Sequence, residues 1–188
     1  MKITNETRKL GVLALIIYIL VLVWVIMLKC NMEVPVRMSL EFFGEMTIEQ
    51  RVEWTFHHFR FNGDGPLLSK DAIEDIIVNI ILFIPIGAFL PFIFRNGALL
   101  LTPLYAFLIT LGFELSQFIF GIGGFAYIDL ITNTIGGIIG CGIFYLVTRK
   151  AKDDHIKNLL LAICCLLLCI LGFGLVNTII NVDIYKVV

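Results

Sequence analysis

The sequence contains few charged residues and little that would bind nucleic acid or a metal. Charged residues make up 15% of its 188 positions, and the net charge is only −1. There is no long basic run or nucleic-acid motif to supply the contacts with phosphates that such binding requires. Its five cysteines show no CxxC or Cys/His spacing typical of a metal site. We therefore expect no nucleic-acid partner, no metal and no cofactor.

Hydrophobic residues are abundant instead. They make up 59% of the chain, and the mean hydropathy is +0.97, whereas a soluble domain has roughly 45–50% apolar residues. The fold class predicted is an all-α integral membrane protein, with a single membrane domain over residues 1–188. About 20 apolar residues cross a bilayer as a helix, and five segments reach that length: 10–28, 73–94, 98–120, 128–148 and 159–180.

The distribution of lysine and arginine predicts how these helices are oriented. Basic residues are concentrated in short regions that fall on one side of a five-span bundle: Lys2, Arg8, Lys9, Arg95, Arg149, Lys150, Lys152 and Lys157. Short basic loops stay in the cytoplasm. We therefore expect a multi-pass protein of the cytoplasmic membrane, with a cytoplasmic N-terminus and an extracytoplasmic C-terminus. The region 29–72 then lies outside.

This outer region contains the pattern of an amphipathic helix. Thr47 and Gln50 fit a capping box, in which each side chain binds a free backbone N–H of the first turn. An apolar stripe at helical spacing follows: Ile48, Val52, Phe56 and Phe59. The pattern predicts a helix over 48–61 that lies in the outer membrane interface. A small cap packed on top of the bundle is the alternative, and the two are compatible.

Proline and glycine within the apolar segments predict close contacts between helices. Pro85 removes one hydrogen bond from its helix, so we expect it to mark a bend that faces protein rather than lipid. Gly136 and Gly140 form a small-xxx-small pair, which allows another helix to approach closely. Ordinary helix packing is the favoured interpretation of this pair.

Polar side chains inside the apolar segments are the most informative feature of the chain. Glu114 and Gln117 are three residues apart, and Asp129 and Asn133 are four apart, so each pair shares a helix face. Asp75 and Asn79 share a face for the same reason. With the predicted orientation, all three pairs lie in the extracytoplasmic half of the membrane. They predict a polar cleft that opens outward.

The carboxylates of this cleft are its candidate reactive groups. An ionisable residue at the centre of a membrane helix costs about 2.5–3.5 kcal/mol and usually has a function. Glu114 and Asp129 together are suited to acid–base catalysis, and they could equally bind a cation or an ammonium group. A purely structural network between helices is the alternative, at about 0.6 kcal/mol per hydrogen bond. The expected ligand-binding residues are Asp75, Asn79, Gln117 and Asn133.

The polar positions also carry a resemblance to a known family. The resemblance rests on Asn79, Phe83-Ile-Pro85-Ile-Gly87, Glu114-Leu-Ser-Gln117 and Asp129-Leu-Ile-Thr-Asn133-Thr-Ile-Gly136-Gly137. In order and spacing they resemble the VanZ-like family, over a core of residues 75–147. That family usually has a loop of the form R-x-x-D-x-x-D before the Asn. Here Ala126 stands at the first Asp, and the basic residue is missing. An activity that depends on those two groups would be absent or would act on another substrate.

The resemblance implies a protein of a Gram-positive type of envelope that is associated with resistance to the glycopeptide teicoplanin. It would act at the outer membrane face, by binding the lipid-anchored drug or by altering its membrane target. One alternative is a membrane-embedded enzyme acting on a lipid or a lipid-linked cell-wall precursor. Another is a structural partner of a second membrane protein through the Gly136/Gly140 face. The sequence leaves the oligomeric state open.

Overall fold

The structure, a computed structural model, describes residues 4–23, 42–57, 70–94 and 98–150, and helices joined by short loops make up this part of the chain. The predicted span 159–180 and the end of the predicted span 10–28 lie outside these ranges. The helices are α1 (Asn5–Leu22), α2 (Ile48–His57), α3 (Lys70–Ile93), α4 (Ala98–Phe120) and α5 (Tyr127–Lys150).

Three of these helices are long and apolar enough to cross a membrane. They are Ile73–Ile93, Leu99–Phe120 and Tyr127–Thr148, and they coincide with the second, third and fourth predicted spans. Large apolar side chains such as Leu100 and Leu146 are exposed on their outward faces. Apolar surface of this extent is unusual on a soluble monomer, and it suits contact with lipid.

Helices α3 and α5 form the closest contact in the bundle. A Cβ atom built at Gly136 would overlap the carbonyl oxygen of Ile80, and one built at Gly140 would overlap that of Ile84. These contacts advance in the same direction along both helices, so α3 and α5 run parallel. The predicted close approach at this pair is confirmed, and the helix that approaches is α3 of the same chain.

The other helices run antiparallel to this pair. Helix α4 lies against α5, where the methyl group of Ala106 contacts Gly137. Helix α1 lies against α3, where the ring of Phe92 packs on Gly11. As a result, α3 and α5 begin and α4 ends at one end of the bundle, which we call the polar end. The buried core is Leu15, Tyr18, Leu22, Phe83, Ile86, Phe89, Leu90, Phe92, Phe113 and Phe144.

Pro85 is buried within α3, so it faces protein as expected. A proline cannot donate to the carbonyl four residues earlier, here that of Ile81. The hydroxyl of Tyr18 donates to the adjacent carbonyl of Leu82, at 2.7 Å. Helix α1 therefore supplies a hydrogen bond where the backbone of α3 is weakest.

Helix α2 begins with the predicted capping box. The backbone N–H of Thr47 donates to Oε1 of Gln50 at 2.8 Å, and the N–H of Gln50 donates to Oγ1 of Thr47 at 3.2 Å. Residues 58–61 of the predicted helix lie outside the described ranges. The part of the apolar stripe that is described, Ile48, Val52 and Phe56, is exposed. Its insertion into the membrane interface stays a prediction.

Candidate functional site

Glu114 is a carboxylate buried at the polar end of the bundle, with only 3% of its surface exposed. Its Oε2 accepts a hydrogen bond of 2.7 Å from the backbone N–H of Ala126. Ala126 immediately precedes α5, whose first N–H groups carry a partial positive charge. A hydrogen bond to an ionised group is stronger than a neutral one. The start of α5 therefore compensates part of the cost of burying this carboxylate.

Asp129 connects α5 to α3. Nδ2 of Asn79 donates to its Oδ1 at 2.8 Å, and both side chains are half-buried. Asp129 lies in the first turn of α5, where its own N–H donates to the carbonyl of Ala126 at 3.2 Å. Both candidate carboxylates thus lie near the start of α5, Asp129 within that helix and Glu114 reaching it from α4, and their hydrogen bonds join them to different partners.

Asn133 lies one turn deeper and joins α5 to α4. Its Nδ2 donates to Oγ1 of Thr110 at 2.8 Å, while its buried Oδ1 has no hydrogen-bond partner among the described residues. Gln117 is buried near the end of α4, and Asp75 is exposed near the start of α3. All six predicted site residues therefore lie toward the polar end. The ligand-binding role of each stays a prediction.

The two carboxylates differ in their surroundings. Glu114 is held by a backbone N–H in a buried position, whereas Asp129 is held by a side-chain amide in a half-buried one. Carboxylates in unlike environments can take unlike roles as acid and base. They can also accept hydrogen bonds from an ammonium or hydroxyl group. Within the described ranges, no three His, Cys, Asp or Glu residues come close enough to hold a metal ion.

Arg51 is a residue of the polar end that the sequence analysis did not single out. Its Nη1 donates to the carbonyl oxygens of Phe118 at 2.8 Å and Ile119 at 3.1 Å, in the last turn of α4. The side chain is buried, although an arginine is seldom fully buried without a charged partner. One feature of the sequence could have pointed to this contact. The loop between α4 and α5 has no Lys or Arg of its own, so a cation there must come from another segment. Helix α2 brings a guanidinium group to that loop.

Trp54 also holds α2 against this loop. Its ring packs on Gly124 and makes an edge-to-face contact with Phe43, with ring centroids 5.0 Å apart. The same loop ends at Ala126, which binds Glu114. Helix α2 therefore packs on the segment that positions the buried carboxylate, as the cap alternative expected.

These features define a class: a helical membrane protein with carboxylate and amide groups gathered at one end of its bundle. A family model described as VanZ/LLP1 matches residues 15–148, and the chain belongs to that family. The chain is similar to Protein VanZ of Enterococcus faecium, with 29% identity over 163 residues, covering 86% of this chain and 88% of that protein. No solved structure matches the chain.

The departure at Ala126 can now be described in structural terms. The residue interacts with Glu114 through its backbone N–H and with Asp129 through its carbonyl oxygen. Neither contact depends on the side chain. Alanine is, however, a poor residue immediately before a helix, because it lacks the side-chain oxygen that Asp would offer to the first turn. Both backbone contacts can therefore form with alanine at this position.

Proposed function

We propose that this protein lowers the action of a lipid-anchored glycopeptide such as teicoplanin, and that it acts at the outer membrane face through its polar end. Membership of the VanZ/LLP1 family supports a link to glycopeptide resistance. The observation that supports a role for the polar end is Glu114, a buried carboxylate that a loop N–H holds at the junction of α4 and α5.

The proposed action follows from the combination of polar and apolar surfaces. Near the membrane boundary, Glu114 and Asp129 offer negative charge to donor groups of a ligand, because buried electrostatic interactions are screened less than exposed ones. The apolar outer faces of the helices offer a surface along which a lipid chain can lie. A ligand with a polar head and a lipid tail matches both surfaces.

A membrane-embedded enzyme acting on a lipid or a lipid-linked cell-wall precursor is the second candidate. The unlike environments of Glu114 and Asp129 favour it, since an acid and a base need different settings. Asn79 would orient Asp129 for such a reaction. The partner alternative lacks the surface assigned to it, because α3 of the same chain covers the Gly136/Gly140 face.

Teicoplanin susceptibility of a sensitive Gram-positive host tests the proposal. The host carries the wild type, Glu114→Gln, Asp129→Asn or an empty vector, at matched membrane levels. Gln keeps an oxygen that can accept from the N–H of Ala126, removes the charge, and replaces the second carboxylate oxygen by an amide NH2 donor. We expect the wild type to protect against teicoplanin more than against vancomycin, which has no lipid tail. Each carboxylate variant should lose most of that protection.

Glu6→Gln provides a matched control, because Glu6 is an exposed carboxylate on α1 whose partner is Lys9. This variant should protect as the wild type does. A wild type that gives no protection would show that the resistance link does not extend to this chain. Full protection by both carboxylate variants would remove the polar end from the mechanism. Changed lipid-linked precursors in cells carrying the wild type, but not the carboxylate variants, would favour the enzyme.

A further inference from the structure

Helix α2 turns a polar side toward the bundle and leaves its apolar side exposed. Arg51 and Thr55 are four residues apart, so they share one side of the helix. Arg51 is buried against the end of α4, and Thr55 is half-buried. On the apolar side, Ile48 and Phe56 are 68% and 73% exposed. A helix that only capped a water-soluble bundle would bury its apolar side against that bundle. The apolar side of α2 is therefore available to another partner.

The remaining side of α2 is acidic. Glu49 and Glu53 are four residues apart and exposed. Helix α2 thus has three sides: one against protein, one apolar and one charged. A helix that lies beside a bundle at the boundary of a membrane meets three environments, which are protein, acyl chains and water. Each side of α2 matches one of them.

The contacts of Arg51 fix the level of α2. Its Nη1 binds the carbonyl oxygens of Phe118 and Ile119, in the last turn of the candidate span Leu99–Phe120. Helix α2 therefore lies where α4 reaches the end of its apolar run. Ile119 and Phe120 are themselves about two-thirds exposed there. The apolar side of α2 and the apolar end of α4 thus occur at one level, the level at which acyl chains meet headgroups.

The charges on α2 indicate which part of a lipid it contacts. Helices that bind membrane surfaces through headgroups usually have Lys and Arg on their polar side. The exposed charged residues of α2 are Glu49 and Glu53, and its arginine is buried against α4. Anionic headgroups would repel these glutamates. Contact between the apolar side and acyl chains is the interaction that remains.

We propose that the side of α2 formed by Ile48, Val52 and Phe56 binds the acyl chains of the membrane leaflet at the polar end, and that α2 thereby holds the loop between α4 and α5 in place. Lipid is the partner of this surface. The inference does not depend on drug resistance, because it concerns the position of α2 in the purified protein. Its failure and the failure of the proposed function are therefore seen in separate experiments.

The loop that α2 holds is the one that reaches Glu114. It begins where α4 ends, with the N–H of Ile122 donating to the carbonyl of Gln117 at 3.1 Å and Arg51 binding the next two carbonyls. The ring of Trp54 packs on the middle of the loop, at Gly124. The loop ends at the residue whose N–H binds Glu114. Lipid contact on one side of α2 is thus connected to the buried carboxylate through the other.

Spin labels on two adjacent residues test where the sides of α2 lie. Val52→Cys and Glu53→Cys are prepared in a variant without native cysteines, labelled and placed in vesicles of neutral phosphatidylcholine. Neighbouring helical residues point about 100° apart, so each label is the control for the other. Leu108→Cys, on the exposed face of α4, provides the reference for lipid. At residue 52, collisions with oxygen, which dissolves in lipid, should exceed those with a water-soluble nickel chelate several-fold, as at residue 108. At residue 53 the nickel chelate should collide more often.

Three results would overturn the proposal. Equal access of the nickel chelate to residues 52 and 53 would place the apolar side of α2 in water. Exclusion of both reagents from residue 52 would show that protein covers it, and a distance between labels on two copies would identify a second copy. A preference for oxygen that appears only when anionic phosphatidylglycerol is added would assign the contact to headgroups rather than acyl chains.

A second measurement tests the connection to the loop. Ile48→Ser with Phe56→Ser removes apolar contact and should raise the rate at which a maleimide labels Ile122→Cys several-fold. Glu49→Ser with Glu53→Ser is the matched control on the acidic side, and should leave that rate unchanged. Should the apolar double variant not fold, Val52→Ser alone decides. An unchanged rate in the folded apolar variant would show that lipid contact does not hold the loop.

Discussion

At the scale of single residues, two charges of opposite sign hold the loop between α4 and α5. The Glu114 carboxylate binds the loop end that begins α5, and the Arg51 guanidinium binds the last carbonyls of α4. A helix is partially positive at its start and partially negative at its end. Each charge is therefore next to the helix end of opposite sign. This arrangement explains how a bundle so poor in charge tolerates both of them in buried positions.

Replacing Gly121 by alanine tests the residue on which this loop turns. The positive φ would cost a residue with a side chain about 1–2 kcal/mol, and the new methyl group would press on the guanidinium of Arg51. We expect a lower midpoint of thermal unfolding in detergent. Gly112→Ala is the control, because its Cβ would meet open space within a helix. Equal midpoints for the two variants would contradict the assigned role of Gly121.

At the scale of elements, the close contact between α3 and α5 at Gly136 and Gly140, which we call the seam, determines where the polar groups meet. Glycines at the seam bring the two backbones together, and the Asn79–Asp129 hydrogen bond joins the same helices nearer the polar end. Small residues permit this approach because no side chain separates the helices. Packing along these two helices therefore positions an amide and a carboxylate at the polar end.

A methyl group at Gly140 should disturb this seam. It would overlap the carbonyl of Ile84, and overpacking of this kind typically costs about 1–3 kcal/mol. We expect Gly140→Ala to unfold at a lower temperature in detergent than the wild type. Gly142→Ala, on the same helix with open space around its Cβ, should match the wild type or exceed it. A stable Gly140→Ala protein would show that α3 and α5 do not pack in this way.

At the scale of the whole molecule, the direction of each helix places the polar groups at a common level. The parallel pair α3 and α5 and the antiparallel α4 gather two helix starts and one helix end at the polar end. The basic residues of the sequence predict that this end faces outward. Helix α2 also lies there, through Arg51 and Trp54.

Cysteine labelling tests the predicted orientation. In a variant without its native cysteines, Ile122→Cys places a thiol in the loop between α4 and α5, and Asn5→Cys places one at the start of α1. A maleimide that does not cross membranes should label residue 122 in intact cells, and residue 5 only after lysis. Alkaline phosphatase fused after Val188 should be active if five spans are present. The reverse labelling pattern would invert the bundle and contradict action at the outer face.

The sequence by itself determined those features that depend on neighbours along the chain. Hydropathy located α3, α4 and α5, because a span needs a long apolar run wherever it lies. The Thr47/Gln50 capping box was predictable, since its partners are three residues apart. The common level of Glu114 and Asp129 also followed, because successive spans alternate in direction.

The tertiary structure alone decided which of these groups touch. The pairing of Asn79 with Asp129, and of Asn133 with Thr110, depends on how each helix is rotated about its own axis. That rotation results from the packing of all the helices together, which no local pattern records. The burial of Arg51 has the same origin. It lies beside the exposed apolar stripe of α2, and only the position of α2 against the end of α4 turns its side chain toward protein.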